Sequence, residues 1–214
     1  MPLTACLDRH HSACFADKTG LMFGRVLIAS FAVFASAVAA SAEPSPNIPG
    51  LEPELLSAAL TARSELAPSA ATDRLITIIA YRRPSGEPRF HLVDLVEESV
   101  ETLLVAHGRG SDPDHDGYAD TFSNTPESKM SSLGAFVTGE TYYGRHGLSL
   151  RLHGLEPRND LAEARAIVIH GADYVHEGRA LLGRSWGCPA LSQSDAQRVI
   201  PMIAGGSFIY VVGG

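Results

Sequence analysis

From Leu75 onward the chain is cut into short apolar runs, each closed by a turn signal, and this feature limits the available folds more than any other. LITIIAYR (75–82), RFHLVDL (89–95) and ETLLVAH (101–107) follow in quick succession, with Pro84-Ser85-Gly86 after the first. Runs of this length, rich in β-branched and aromatic residues, read as strands. Further strands are expected over residues 133–139, 149–152, 166–170 and 207–212. Helical spacing occurs only near the two ends. Leu51, Leu55, Leu56, Ala59 and Leu60 share one face of a segment opened by Pro53 and Glu54, a first-turn arrangement. Ser192-Gln193-Ser194-Asp195 has capping-box character ahead of Ala196, Val199, Ile200 and Ile203, and Gly205-Gly206 stops the segment. The order predicts a mainly β domain with a few short helices (α+β), a sandwich or partly closed barrel rather than alternating βαβ units. Residues 108–132 form a long connection, a kind that is usually functional or mobile.

The N-terminal part reads differently. Arg25 precedes VLIASFAVFASAVAASA and then Glu43-Pro44, with Ala40-Ser41-Ala42 as a small-x-small end. This is the layout of a secretory signal peptide cleaved after Ala42, so the expected compartment is periplasmic, reached by export. The uncharged run from Val26 to Ala42 is 17 residues, at the short edge for a bilayer span, and no membrane span is expected in the mature form. Residues 1–21 precede that signal and read as a non-native or extended N-terminus. The division is therefore 1–21 extension, 22–42 signal, 43–72 linker and short helix, and 73–214 main domain, with a monomer as the expected form.

Without residues 1–42, which hold three basic and two acidic side chains, 14 Lys+Arg and 22 Asp+Glu remain, a net charge of −8. Lys129 is the one lysine left, and the basic residues form no stripe, so nucleic acid and anionic membrane surfaces are poor partners.

Cys6 and Cys14 lie upstream of the export signal, which leaves Cys188 alone in the mature chain. A single cysteine in an exported protein is either a free thiol with a task or an inert core residue. Its setting, GRSWGCPAL (183–191), favours a task. Gly187 lets backbone approach a bound carbonyl, Pro189 fixes the turn, and the N–H groups of Gly187 and Cys188 could form an oxyanion site. Ser185 and Trp186 would line the approach. A thiol needs a partner to stabilise its thiolate, and His170, leaving the apolar run AIVIH ahead of Gly171, is the best placed.

The segment from His170-Gly171 to Ser185-Trp186-Gly187-Cys188 resembles the active-site signature of the L,D-transpeptidases of peptidoglycan, and of the murein L,D-transpeptidase catalytic domain proteins in particular. FSNTPESKMSSLGAFVTGETYYGRHGLSLRLHGLE (122–156), IHGADYV and GRSWGCPAL carry the same likeness, which covers roughly residues 75–214. The resemblance implies Cys188 as nucleophile, His170 as general base, Gly171 as the residue whose carbonyl orients that imidazole, and Gly187 with Cys188 at the oxyanion site. Ser132-Leu133-Gly134-Ala135-Phe136 would form a pocket wall. Tyr142 and Arg184 are further pocket candidates, Arg184 through a stem carboxylate. The partners implied are peptidoglycan stem peptides. The thioester would pass to an amine of a neighbouring stem; passed to water it would make the protein an L,D-carboxypeptidase. A non-catalytic wall-binding module with a buried Cys188 is the third reading. Two positions depart from the commoner pattern: Trp186 stands where relatives carry histidine, and Ala190 where they carry asparagine.

No cofactor is required by this chemistry. Asp112, Asp114, Asp116 and Asp120, with Gly117, match the front half of an EF-hand-like calcium loop, but Ser123 stands where a bidentate Glu is expected. A solvated acidic loop near the cleft is thus the preferred reading, with calcium as the lesser candidate. His107, His146 and His153 fit no zinc spacing with Cys188.

Overall fold

The computed structural model describes residues 47–69 and 74–214; the extension and export signal expected over 1–42 lie outside the described residues. One helix precedes the sheet, α1 (Pro53–Leu66), and a second lies near its end, α2 (Gln193–Ile203). The strands are β1 (Leu75–Ala80), β2 (Phe90–Asp94), β3 (Ser99–Leu103), β4 (Gly134–Gly144), β5 (Gly147–Gly154), β6 (Val168–Gly171), β7 (Ala190–Leu191) and β8 (Phe208–Val212). They form one mixed sheet in the order β3-β2-β1-β8-β4-β5-β6-β7, with β1–β8 and β6–β7 parallel.

Both faces of the central strands are covered, which is why LITIIA and FIYVV read as continuous apolar runs rather than alternating ones. On one side Ile76, Ile78, Ala80 and Phe208 pack with Leu55, Leu56 and Ala59 of α1. On the other Ile79, Phe90, Phe136, Leu150, Ile169 and Ile209 pack with Ala196, Val199, Ile200 and Ile203 of α2. Each fully buried leucine or isoleucine contributes about 1.5–3 kcal/mol. Pro53 opens α1, and Ser192 caps α2 by accepting the Asp195 N–H at 3.0 Å, both as the sequence predicts.

Two departures shape the site. The third strand was expected to reach His107 but ends at Leu103. Beyond it the chain leaves β2 and crosses the open side, where Ala106 exchanges hydrogen bonds of 2.8 and 3.2 Å with Ala190 of β7. That bridge joins the two edges and makes the sheet a partly closed barrel. The second departure is the β4–β5 hairpin, which extends well past the expected strands to a two-residue turn at Arg145-His146. A bulge between Thr138 and Thr141 breaks the alternation that would have marked the longer strand.

Candidate active site

Cys188 stands just ahead of β7, and β6 beside it carries His170. The two strands are parallel, with His170 in register with Ala190, two residues past the cysteine. Chain reversal after the His170 strand and return through 183–189 thus bring together two residues 18 positions apart. The His170 ring is buried, and its Nδ1 lies 2.9 Å from the Gly171 carbonyl oxygen. A carbonyl only accepts, so Nδ1 carries the proton and Nε2 holds the free lone pair. Among the described residues Nε2 has no hydrogen-bond partner. Burial pushes the His170 imidazole below the ordinary histidine range, against the bond to Gly171 and with the help of His146.

The Cys188 thiol is half-buried, and its hydrogen bond goes to the Ala166 carbonyl at 3.6 Å. Burial pushes this thiol up, while the Val168 N–H and the Arg165 guanidinium pull it down. Arg165 is held by Ser123 O (2.7 Å), Ser132 Oγ (2.5 Å), Ser128 Oγ (3.3 Å) and Met130 O (2.6 Å). A fixed, half-buried cation beside the thiol is what a developing thiolate requires. The sequence reading missed Arg165, whose partners all lie in a loop more than thirty residues upstream.

The turn carrying Cys188 is built by Ser185. Its buried Oγ accepts the Gly187 N–H at 3.1 Å and donates to the Cys188 carbonyl at 2.6 Å. Gly187 has φ +123°, and a Cβ there would lie 2.8 Å from the Met130 carbonyl oxygen, so only glycine fits. Its carbonyl accepts from Ser131 Oγ, which in turn accepts the Gly108 N–H. The Gly187 N–H is therefore engaged in this structure. Among the described residues the Cys188 N–H has no partner, and it is the donor left for an oxyanion.

The remaining candidates divide. Trp186 is 65 % exposed beside Cys188, with Lys129 Nζ 4.8 Å above its ring. Tyr142 pairs with Ser149, and Ser149 with His170, so these three lie in one row across β4, β5 and β6, on one face of the sheet. Ser132 is buried and bonded to Ser123 O and Arg165, which makes it a strut of the wall rather than an exposed contact. Arg184 donates to the Asp112 carbonyl and lies 4.0 Å from that residue's carboxylate, so its charge is directed toward the acidic loop.

Asp112, Asp114 and Asp116 bring carboxylate oxygens within 4.8 Å of one another, and Asp120 is outside the group. Asp112 is fully buried and already accepts from the N–H groups of Asp116 and Gly117 and from His107 Nε2 at 3.1 Å. In this acidic loop the first carboxylate thus already accepts from protein donors. His107 Nδ1 receives Arg89 Nη2 at 2.6 Å, which fixes a neutral imidazole between a buried guanidinium and a buried carboxylate. His107 is displaced to about 4, first by burial and then by Arg89. The His107 carbonyl accepts the Ser185 N–H, so this buried relay supports the cysteine turn from below. His153 pairs with Glu163, and His146 stacks on His170; the histidines do not converge.

A partly closed barrel that sets a cysteine at the head of one strand and a tautomer-fixed histidine on the next defines a class: mainly β proteins with a cysteine–histidine site at the end of the sheet. Residues 47–212 match the family model of the L,D-transpeptidase catalytic domain, and the chain belongs to that family. The match begins ahead of α1, upstream of the region where the sequence motifs lie. Among solved structures it is similar to an L,D-transpeptidase from Mycobacterium smegmatis (12% identity, TM-score 0.41, covering 65% of this chain and 59% of that one). It is also similar to one from Mycobacterium tuberculosis (13%, 0.43, 65% and 57%) and one from Xylanimonas cellulosilytica (12%, 0.40, 66% and 62%). The chain thus spans about three fifths of the length of these structures. No curated protein matches it.

Proposed function

We propose that the protein is an exported peptidoglycan L,D-transpeptidase with Cys188 as nucleophile and His170 as general base. The observation that carries this reading is the His170 tautomer: Nδ1–H is spent on the Gly171 carbonyl, which leaves Nε2 basic on the strand beside Cys188. In the first half-reaction Nε2 takes the thiol proton as sulfur attacks the diaminopimelate carbonyl of a tetrapeptide stem. The tetrahedral oxyanion is stabilised by the Cys188 N–H and the nearby Arg165 charge. Collapse breaks the amide bond, Nε2 returns the proton to the departing D-Ala amine, and a thioester remains. In the second half-reaction an amine of a neighbouring stem attacks the thioester, gives a proton to Nε2, and the thiolate leaves and recovers it. The sequence is redox-neutral and needs no nucleotide, which suits a compartment outside the cytoplasm. Water in place of the amine gives the L,D-carboxypeptidase outcome.

Intact mass after incubation with a carbapenem tests the nucleophile. One covalent adduct per chain is expected, mapped to Cys188 and absent in Cys188→Ala. A folded protein that gives neither an adduct nor a change in purified muropeptides removes the enzymatic reading and leaves the wall-binding one. Product analysis with a defined tetrapeptide, with and without an amine acceptor, separates transfer from hydrolysis.

A further inference from the structure

The β4–β5 hairpin ends in a two-residue turn whose second residue, His146, is exposed and lays its ring on His170. The ring centroids are 4.3 Å apart and the planes meet at 25°. Stacked rings direct their nitrogen lone pairs sideways, in their own planes, so this contact passes no proton from one imidazole to the other. It does two other things. It fixes the plane of the His170 ring, which the bond to Gly171 alone leaves free to pivot about one atom. It also sets a second titratable group against the face of a ring that is 2 % exposed.

We infer that His146 is a positioning residue for His170, holding the imidazole in the plane that aims Nε2. The inference rests on the Cys188–His170 pairing proposed above. Charge on His146 opposes charge on His170, in the same direction as burial. Apart from Arg145 in the turn, the other charged groups on elements packed around β6 have partners. On α2, Asp195 is bonded to Ser192 and Arg198, and Arg198 to Glu101. On β5, Arg151 is paired with Glu140 and His153 with Glu163. Asp173, just past β6, accepts from Gln193 Nε2. Arg165 and Tyr174 face Cys188, and Arg145 is the neighbour of His146 in the turn. Among the described residues His146 alone stacks on the His170 imidazole.

The test is the rate of iodoacetamide modification of Cys188 against pH, read by peptide mapping so that Cys6 and Cys14 do not contribute. Wild type is compared with His146→Ala, His146→Phe and His170→Ala. On the inference, the acid limb of the profile moves to higher pH in both His146 variants, because His170 is relieved of a like charge. The plateau falls on the order of tenfold in His146→Ala, where the ring loses its shelf, and His146→Phe recovers most of that loss. A plateau unchanged in His146→Ala, with the acid limb in place in both variants, overturns the inference. A His170→Ala profile identical to wild type instead removes the pairing itself, so the two failures are distinguishable.

Discussion

The buried relay Arg89–His107–Asp112 makes a quantitative statement about acid stability. His107 is fully buried, and its geometry demands a neutral ring, since Arg89 can only donate to Nδ1 and Asp112 accepts from Nε2. Its proton affinity falls from 6.5 in an unfolded chain to about 4 in the fold. Between those values the unfolded chain binds a proton that the native state refuses, so stability is present above 6.5 and is lost as pH falls toward 4. At about 1.4 kcal/mol per pH unit, the loss from this one residue is about 3 kcal/mol. His107→Gln keeps an acceptor for Arg89 and a donor for Asp112 but cannot titrate. Urea unfolding followed by far-UV circular dichroism at pH 7, 6, 5 and 4 is expected to give a shallower pH slope for the variant. His91 and His170 are also lowered by burial, so the wild-type slope alone does not isolate His107, whereas the difference between the two curves does. Parallel curves between pH 6.5 and pH 4 would refute the argument.

Four further outcomes can be checked. Ser185→Ala removes two bonds from the cysteine turn and leaves the buried Gly187 N–H unpaired, which is expected to cost about 2 kcal/mol in urea unfolding and to slow carbapenem adduct formation. Arg165→Gln removes the cation beside the thiol, so the pH dependence of Cys188 alkylation is expected to move to higher pH. Leu56→Ala opens the packing of α1 on the sheet and is expected to cost about 2–5 kcal/mol with no change in adduct stoichiometry. Calcium at millimolar concentration, compared with EDTA, is expected to leave the Tm within about 1 °C, because Asp112 already accepts from three protein donors; a rise of several degrees would establish the loop as a binding site.

What could be read from the sequence was local. The short strands, the Ser192 cap and the Pro53 start follow from rules that act within a few residues, and Cys188 with His170 stood out because the expected export signal would leave the thiol without a disulfide partner. What could not be read depends on contacts distant in sequence. β7 is two residues long and exists because β6 and the Ala106 bridge hold it from both sides. Arg165 looks like a surface residue ahead of an apolar run until Ser123, Ser128 and Met130 fold around it. Asp112-x-Asp-x-Asp-Gly matches a cation loop in sequence, and the residues that tie a turn to its own N–H groups are the same residue types that bind calcium, so the sequence does not separate the two roles. His146 left a usable signal: Gly144-Arg145-His146-Gly147 is a hairpin turn by composition. Reading it so would have carried the strands to the tip and brought a second imidazole to the site.

The displacements of the two principal groups share a direction that bears on how the proposed chemistry starts. Burial raises the Cys188 thiol and lowers the His170 imidazole, so both changes favour a neutral thiol beside a neutral ring over a thiolate–imidazolium pair. The Ala166 carbonyl, 3.6 Å from the sulfur, accepts from the thiol, while the Val168 N–H and Arg165 are the groups that favour the anion once it forms. Ala166 has φ +54°, outside the range most side chains favour, so a strained backbone position aims that acceptor. On the proposed reading the nucleophile is therefore not stored as an anion. Charge separates only when a carbonyl carbon is close enough to receive the sulfur, with the Cys188 N–H and Arg165 placed to meet the charge that forms. A stored thiolate would be open to any electrophile reaching the exposed face of Trp186. A neutral pair answers chiefly to a substrate that the cleft holds in line.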